Sequence, residues 1–364
     1  MSMEEKPVDG MTAADDYILK VNNLVKWFPI KSSFFKRTVG NVKAVDGVSF
    51  NIKRRQTMGL VGESGCGKST CGRTILRLLE KTSGDVIFDG QDVFALSKEE
   101  LRKMRPRMQL VFQDPYSSLS PRLPVGEIIG EAVREHHIVS DSEYDGYITR
   151  VMDVCGLPNY YKERYPHEFS GGQRQRICIA RALALAPDFI VCDEPVSALD
   201  VSIQAQIINL LKQLQDDFGL TYLFISHDLS VVEHISDTVG VMYLGTMVEY
   251  AETEKIFARP LNPYTKALFS AIPIPDPDVS LNRIILKGSI PSPANPPKGC
   301  KFHTRCDQCR EICKYAVPEW TEVEPGHFCA CHLYNDEAAE KRAEAAMEEA
   351  KKQETQPQKE EMVL

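Results

Sequence analysis

The sequence has 364 residues, of which 43% are hydrophobic and 26% charged, and it carries a formal net charge of −8. This composition is typical of a globular protein with a sizeable core, and the length predicts about two to three domains. The chain lacks both a run of about 18 apolar residues and a signal sequence, so we expect no membrane-spanning helix and retention in the cytoplasm. The negative charge argues against nucleic acid as the main partner.

The first predicted elements are two strands that pair around an insertion. Residues 1–16 are polar and predicted to be loosely held, whereas residues 17–27 and 42–52 have the apolar pattern of strands. The basic and aromatic stretch between them, residues 30–41, is predicted to be a solvent-exposed extension of the hairpin, with contact to phospholipid headgroups as the alternative. We expect these strands to form an antiparallel subdomain.

A glycine-rich loop follows the next apolar strand, residues 57–61, and opens a helical pattern. A strand, a glycine loop and a helix in this order are typical of a phosphate-binding loop, because glycines let several backbone N–H groups turn towards one anion. Lys68 is predicted to reach the β- and γ-phosphates, and the Ser69 hydroxyl to bind Mg²⁺. The loop residues predicted to bind nucleotide are Gly62, Ser64, Gly65, Cys66, Gly67, Lys68, Ser69 and Thr70.

The sequence after this loop alternates strands and helices, which predicts a mainly parallel sheet covered on both faces. An apolar strand over residues 108–112 leads to Gln113, and residues 114–186 have a helical, strand-poor pattern that predicts an inserted helical subdomain. The buried strand 189–192 then ends at Asp193 and Glu194. Asp193 is placed to hold Mg²⁺ through water, and Glu194 to orient and deprotonate the attacking water.

Residues 169–176 resemble the signature sequence of the ATP-binding-cassette family through Ser170, Gly171, Gly172 and Gln173, with Phe169 in a position usually held by leucine. In that family this surface faces the ATP bound by an opposite subunit, so that two ATP molecules lie at a dimer interface. The resemblance also implies roles for other residues. Phe28, or Trp27 beside it, is expected to stack on adenine, and Gln113 to sense Mg²⁺ and the membrane subunit. Asp200 is expected to lie in the loop that links the two sites, and His227 to contact the γ-phosphate.

The stretches 113–122 and 290–300 look like the ATPase subunits of oligopeptide and dipeptide importers, and the insertion before Val42 favours their F-type subunit. This resemblance spans residues 17–333. It implies a peripheral ATPase on the cytoplasmic face of the membrane, paired with a D-type chain or with itself, docked on two permeases and served by an extracytoplasmic solute-binding protein. Two alternatives are an importer of nickel or oligosaccharides and a non-transport cassette ATPase.

Six cysteines lie between residues 300 and 331. Cys300, Cys306, Cys313 and Cys331 occupy the positions where the importer family places four cysteines, which implies a [4Fe–4S] cluster of structural role. Zinc binding and free thiols are the alternatives to this cluster, because the segment also contains Cys309 and Cys329 together with His303, His327 and His332.

The predicted architecture is therefore α/β, with a P-loop NTPase core of ABC type, an antiparallel β subdomain, an inserted helical subdomain and a Cys-rich C-terminal extension. The cassette is predicted over residues 17–272. A proline-rich connector leads into the Cys-rich segment within residues 273–333. Residues 334–364 form a charged tail without an apolar stripe, which we expect to be an isolated, frayed helix or disordered.

Overall fold

The computed structural model describes residues 16–32, 37–272 and 283–355. These residues divide into two compact units. The first unit comprises the described residues up to Leu24, Ser49–Leu60 and Ser69–Asp237. The second unit comprises Val25–Val48, Val61–Lys68 and the described residues from Thr238 onward.

The elements are numbered in chain order. The strands are β1 (Tyr17–Lys31), β2 (Thr38–Lys53), β3 (Thr57–Val61), β4 (Ser83–Phe88), β5 (Gln91–Asp92), β6 (Met108–Val111), β7 (Phe189–Asp193), β8 (Thr221–Ile225), β9 (Thr238–Tyr243), β10 (Thr246–Glu252), β11 (Trp320–Glu324) and β12 (His327–Ala330). The helices are α1 (Lys68–Ile75), α2 (Lys98–Met104), α3 (Pro115–Ser118), α4 (Val125–Glu135), α5 (Asp141–Val154), α6 (Gly171–Leu183), α7 (Val201–Phe218), α8 (Leu229–Ile235), α9 (Thr253–Ala258), α10 (Pro263–Phe269) and α11 (Glu337–Thr355). None of the helices in the described part of the chain combines the length and hydropathy needed to cross a bilayer.

The core of the first unit is a parallel sheet with the strand order β6-β7-β8-β3. Every residue of β3, β7 and β8 is buried, as expected for apolar strands covered on both faces. The predicted parallel α/β core is confirmed. Its carboxyl edge carries the predicted functional residues, because Gln113 follows β6, Asp193 ends β7 and His227 follows β8.

A four-stranded sheet has the order β2-β1-β4-β5, and its strands β4 and β5 are antiparallel. β4 and β5 form a hairpin through Asp89 and Gly90, in which Phe88 pairs with Gln91. Both turn residues have positive φ, which explains why an Asp-Gly pair stands here. The predicted insertion falls partly outside the described residues, which omit 33–36.

The inserted helical subdomain consists of α3 to α6 in the first unit. Helix α5 begins at Asp141, because Ser140 and Glu143 form a capping box there. The Tyr147 hydroxyl donates a 2.9 Å hydrogen bond to the carbonyl of Ala184, which joins α5 to the end of α6. Helix α6 itself begins at the signature glycines.

The second unit contains an antiparallel sheet with the order β9-β10-β12-β11. Glu249 of β10 pairs with Cys329 of β12, so the Cys-rich segment adds two strands to the hairpin of β9 and β10. Sequence analysis did not predict these two strands. Residues 283–297 of the connector form no helix or strand, and the connector residues 273–282 lie outside the described part of the chain.

The described residues 337–355 form a helix, one of the two predicted outcomes for the tail, but the expectation that this helix is isolated is wrong. Ala343 is buried against Ile312, Cys313 and Ala316, with Met347 packed on the same cluster. Ala339 is also buried, so residues spaced four apart form a narrow apolar stripe. The stripe is hard to recognise in the sequence because it consists largely of alanines. Ion pairs flank the stripe: Arg342–Glu319 and Lys351–Glu311, each at 2.7 Å.

Candidate functional site

Residues 62–68 of the glycine loop lie in the second unit. The Lys68 side chain is only 4% exposed, and its Nζ donates hydrogen bonds to the carbonyls of Gly62 at 2.6 Å and Glu63 at 3.2 Å. Gly67 has φ +108°, and a Cβ there would lie 2.0 Å from the carbonyl oxygen of Ala44. This position therefore requires glycine.

The loop presents Ser64 and Gly65 to solvent, whereas Cys66 is buried. Burial raises the pKa of the Cys66 thiol, so it is a protonated packing group at neutral pH. The chain leaves the loop into α1, where the Thr70 carbonyl accepts a 2.7 Å hydrogen bond from the Thr74 hydroxyl. Backbone N–H groups at such a loop and helix start can bind an anion.

In the first unit, two of the residues predicted to hold Mg²⁺, Ser69 and Asp193, are direct neighbours. The Ser69 hydroxyl donates a 2.6 Å hydrogen bond to Oδ1 of Asp193, and Nη2 of Arg73 lies 3.3 Å from Oδ2. Asp193 is 1% exposed. A hydroxyl and a buried carboxylate side by side are oxygen donors of the kind that Mg²⁺ prefers, so these residues fit the ion.

The three predicted catalytic residues also meet within the first unit, where Gln113 and His227 contact the carboxylate of Glu194. Gln113 Nε2 donates a 2.8 Å hydrogen bond to Oε2 of Glu194, and His227 Nδ1 lies 3.3 Å from the same oxygen. Glu194 has φ +47°, a left-handed conformation that is costly for a residue with a Cβ. The backbone strain and the two polar neighbours fix the direction of the carboxylate.

The signature residues begin α6. The Ser170 hydroxyl accepts from the Gln173 N–H, and the Gln173 side chain accepts from the Ser170 N–H, which completes a capping box. Ser170 and Gly171 are exposed, while a Cβ on Gly172 would lie 2.4 Å from Cγ2 of Ile203. Gly172 thus lets α7 approach closely, and Asp200 is exposed immediately before α7.

Two aromatic side chains are candidates for adenine stacking, and they are consecutive residues of β1 in the second unit. The Phe28 side chain is 36% exposed, with Lys26 Nζ 4.8 Å from its ring centroid. The Trp27 indole donates a 3.0 Å hydrogen bond to Asp46, and Lys43 Nζ lies 4.8 Å from its ring centroid. Consecutive strand residues point to opposite faces, so a nucleotide on one face of β1 could stack on only one of them.

The four cysteines predicted to share a cluster lie near one another in the second unit. Burial, and then the charges of Cys313, Cys331 and Cys306, raise the pKa of Cys300 to about 12. Within the described ranges, however, no three His, Cys, Asp or Glu side chains are placed to hold a single metal ion. Tetrahedral zinc would require sulfurs about 3.8 Å apart, given zinc–sulfur bonds of about 2.3 Å.

The nearby histidines have other partners. His327 Nε2 lies 2.7 Å from buried Glu249, His332 Nε2 lies 2.9 Å from the Ala316 carbonyl, and His303 Nδ1 lies 2.9 Å from the Cys300 carbonyl. These contacts within the second unit explain the positions of the three histidine side chains without a metal ion.

Two contacts of the loop were missed by sequence analysis. Glu63 forms a two-pronged ion pair with Arg305, and its backbone N–H donates a 2.9 Å hydrogen bond to the Tyr264 hydroxyl. Positions 63 and 305 belong to no recognised motif pair and lie 242 residues apart, so no local pattern could have joined them.

Comparison with known proteins agrees with this geometry. The ABC transporter family model matches residues 45–197, and the model of the oligopeptide/dipeptide transporter C-terminal region matches residues 248–313. The solved structure of cbiO1 from Clostridium perfringens, part of the ABC transporter complex cbiONQ, is 28% identical with a TM-score of 0.58 and covers 67% of this chain and 92% of that chain. A dimeric ATP-binding cassette bound to ADP and Pi is also 28% identical, with a TM-score of 0.58, and covers 65% and 98%. The fold and the loop are thus those of an ATP-binding-cassette ATPase.

Relatives of known description extend the match to nearly the whole chain. The oligopeptide transport ATP-binding protein AppF of Bacillus subtilis is 56% identical over 329 residues, which cover 89% of this chain and all of that protein. A putative peptide import ATP-binding protein of Brucella ovis is 54% identical over 314 residues, covering 86% and 97%. This chain belongs to the ABC transporter family, among the ATP-binding proteins with the oligopeptide/dipeptide transporter C-terminal region. It is an ATPase coupled to transport, and Mg²⁺ and ATP are its ligands.

Proposed function

We propose that this chain hydrolyses ATP to energise the import of oligopeptides or dipeptides through partner permeases. The observation that carries the enzymatic part is the convergence of Gln113 and His227 on Glu194, beside the Ser69–Asp193 pair. The peptide substrate rests on the relatives, which are peptide transport proteins over almost the whole of this chain.

Hydrolysis needs a base that accepts a proton from water. Glu194 takes this role, while Gln113 and His227 orient its carboxylate by holding one of its two oxygens. Ser69 and Asp193, with Gln113, would hold Mg²⁺, which when bound neutralises charge on the β- and γ-phosphates. Transferring the proton to Glu194 makes the water a better nucleophile.

The glycine loop binds the triphosphate. Lys68 exchanges its loop carbonyl partners for phosphate oxygens, and Gly62 and residues 64–70 complete the loop that binds the same anion. Phe28, or Trp27 in its place, stacks on the adenine. These assignments predict that the loop binds nucleotide even when hydrolysis is blocked.

The exposed signature edge serves a second ATP. Ser170 and Gly171, with Gly172 and Gln173 behind them, face the nucleotide of an opposite subunit, and Asp200 lies in the linking loop at the same interface. The opposite subunit is a D-type ATPase or a second copy of this chain. Together they dock on two permeases at the cytoplasmic face of the membrane, with an extracytoplasmic protein delivering the solute.

Each region of the chain has its own proposed role. Residues 17–272 form the cassette, and their helical subdomain, residues 114–186, transmits closure of the dimer to the permeases. Residues 273–333 form the Pro-rich and Cys-rich segment. Residues 334–364 continue as a charged tail whose helix packs on that segment.

Cys300, Cys306, Cys313 and Cys331 are the residues that would hold a [4Fe–4S] cluster with a structural role. The support for this proposal is that these thiols raise one another's pKa values in addition to the effect of burial. A cluster attaches each sulfur to a different iron atom and therefore needs wider spacing than one zinc ion. Anaerobic purification followed by iron and sulfide analysis tests it: colourless, iron-free protein with six titratable thiols would contradict the cluster.

The transport function is tested by co-purifying the chain from native membranes and reconstituting the complex in liposomes. We expect ATP-dependent uptake of labelled di- and oligopeptides, and no uptake with the Lys68→Ala variant. Uptake of nickel or oligosaccharide instead of peptide would contradict the substrate, and a complex without permeases would contradict transport.

A further inference from the structure

The Cys-rich segment contacts the phosphate loop through Arg305, within the second unit. Arg305 Nη1 and Nη2 donate to the two oxygens of Glu63 at 2.6 and 3.0 Å. The Arg305 side chain is 7% exposed and the Glu63 side chain 25%. A bidentate pair with so little exposure fixes both position and orientation of the carboxylate.

The Glu63 backbone is held from the same side. Its N–H donates to the hydroxyl of fully buried Tyr264, whose ring lies 5.3 Å from that of Phe302. Its carbonyl accepts from Lys68 Nζ at 3.2 Å. One residue of the loop thus connects the segment to the lysine that binds phosphate.

The segment makes a second contact close by. Lys301 Nζ donates to Asp46 at 2.8 Å and to the Leu244 carbonyl at 3.0 Å. Asp46 accepts from Trp27, and the N–H of Gly245 donates to the Cys66 carbonyl at 2.8 Å. Arg305 therefore contacts the loop directly, and Lys301 contacts Asp46 of β2, which in turn accepts a hydrogen bond from Trp27 of β1.

A carboxylate in an anion-binding loop opposes the binding of a triphosphate unless it is neutralised. Arg305 supplies the neutralising charge and removes the carboxylate from the path of the anion by pairing with it. Without Arg305, Glu63 would be left partly buried with an uncompensated negative charge near the phosphates, which raises the cost of binding another anion.

We propose that Arg305 is a positioning residue for the phosphate loop, so that the affinity for ATP depends on the C-terminal segment through the Arg305–Glu63 pair. This inference rests on the proposed role of residues 62–70 in binding ATP. The segment then has a function in the cassette's own nucleotide cycle, whatever its cysteines bind.

The test uses the full-length chain and titrates a fluorescent ATP analogue in the presence of Mg²⁺. We expect Arg305→Met to weaken binding about tenfold, as for other directly coupled contacts, while the matched control Arg310→Met leaves binding unchanged. Arg310 lies in the same segment but pairs with Glu340 of α11. Glu63→Gln should bind nearly normally, and adding Arg305→Met to it should cost little more.

Coupling between the two positions separates this proposal from simple loss of structure. The proposal is wrong if Arg305→Met binds the analogue as tightly as Arg310→Met does. It is also wrong if the fold-loss of affinity in the double variant of Glu63 and Arg305 equals the product of the two single fold-losses. If Arg305→Met does not fold, Arg305→Lys decides by the same comparison with Arg310→Lys. Failure of the unaltered chain to bind the analogue would instead count against the proposed function.

Discussion

Gln113 Nε2 lies 2.8 Å from Oε2 of Glu194, although the two residues follow different strands, β6 and β7. The same oxygen is 3.3 Å from Nδ1 of His227, which follows β8. Of three neighbouring parallel strands, the middle one thus leads to the carboxylate, and each of its two neighbours leads to one polar side chain that contacts it. Because such strands all end at the same edge of a sheet, the arrangement follows from the topology.

Replacing Glu194 by Gln should abolish hydrolysis and preserve ATP binding. The amide cannot accept a proton from water, whereas its size and its contact with Gln113 are retained. We expect kcat to fall at least about 100-fold, the lower end for loss of a general base, and the ATP-bound dimer to persist. Phosphate release and size-exclusion chromatography with Mg·ATP measure both effects.

The matched control is Glu233→Gln, an exposed glutamate on α8 outside the site. It should retain the turnover of the unaltered chain. Turnover in Glu194→Gln equal to that of this control would show that another group is the base.

Replacing Asp193 by Asn should raise the Mg²⁺ requirement of the ATPase. The substitution removes the negative charge that accepts from Ser69 and leaves Arg73 without its ion-pair partner. The Mg²⁺ concentration for half-maximal activity should then rise at least about tenfold, because a negatively charged oxygen group that holds the ion becomes neutral. A Mg²⁺ titration of ATPase rate measures this, with exposed Asp216→Asn as control; identical curves would exclude Asp193 from the ion's coordination.

The parallel core and the order of its functional residues could be predicted because the information is local. Each of the strands β6 to β8 is an apolar run followed by a polar residue, and the Ser170 cap and two glycines mark the start of α6. The Glu63–Arg305 pair could not be predicted, since its charge complementarity shows only after residues far apart in sequence have been brought together. The strands β11 and β12 could not be predicted either. They are short and partly polar, so they are recognisable as strands only once β12 pairs with β10 and β11 pairs with β12.

Asp89 should make stability depend on pH in the acid range. Burial alone would raise the pKa of Asp89, but hydrogen bonds and charges from Arg107 and Arg54 outweigh burial and hold the pKa below its usual value. A carboxyl with a lowered pKa in the folded state stabilises the fold above the unfolded-state value, about 3.9, and this contribution is lost as the pH falls through the folded-state value.

We therefore expect Asp89→Asn to lower the free energy of unfolding by about 1 kcal/mol at pH 7, as for a partly exposed ion pair. The difference from the unaltered chain should stay constant down to about pH 5 and shrink below about pH 4. Urea unfolding across this range measures it. Asp85→Asn, at an exposed position, should show a smaller difference; a gap for Asp89→Asn that widens in acid would contradict the assignment.

Helix α11 supplies the last prediction, because alanines on its two sides differ only in burial. Ala343 is 6% exposed and packs on the Cys-rich segment, whereas Ala346 faces solvent on the same helix. Ala343→Asp places an unpaired carboxylate among apolar side chains, which should cost about 1–3 kcal/mol and detach the helix. Ala346→Asp has the same helix propensity and charge change without burial. Hydrogen exchange should therefore speed up in residues 337–355 and around Ile312 for Ala343→Asp alone; equal exchange in both variants would mean that α11 does not pack on this segment in solution.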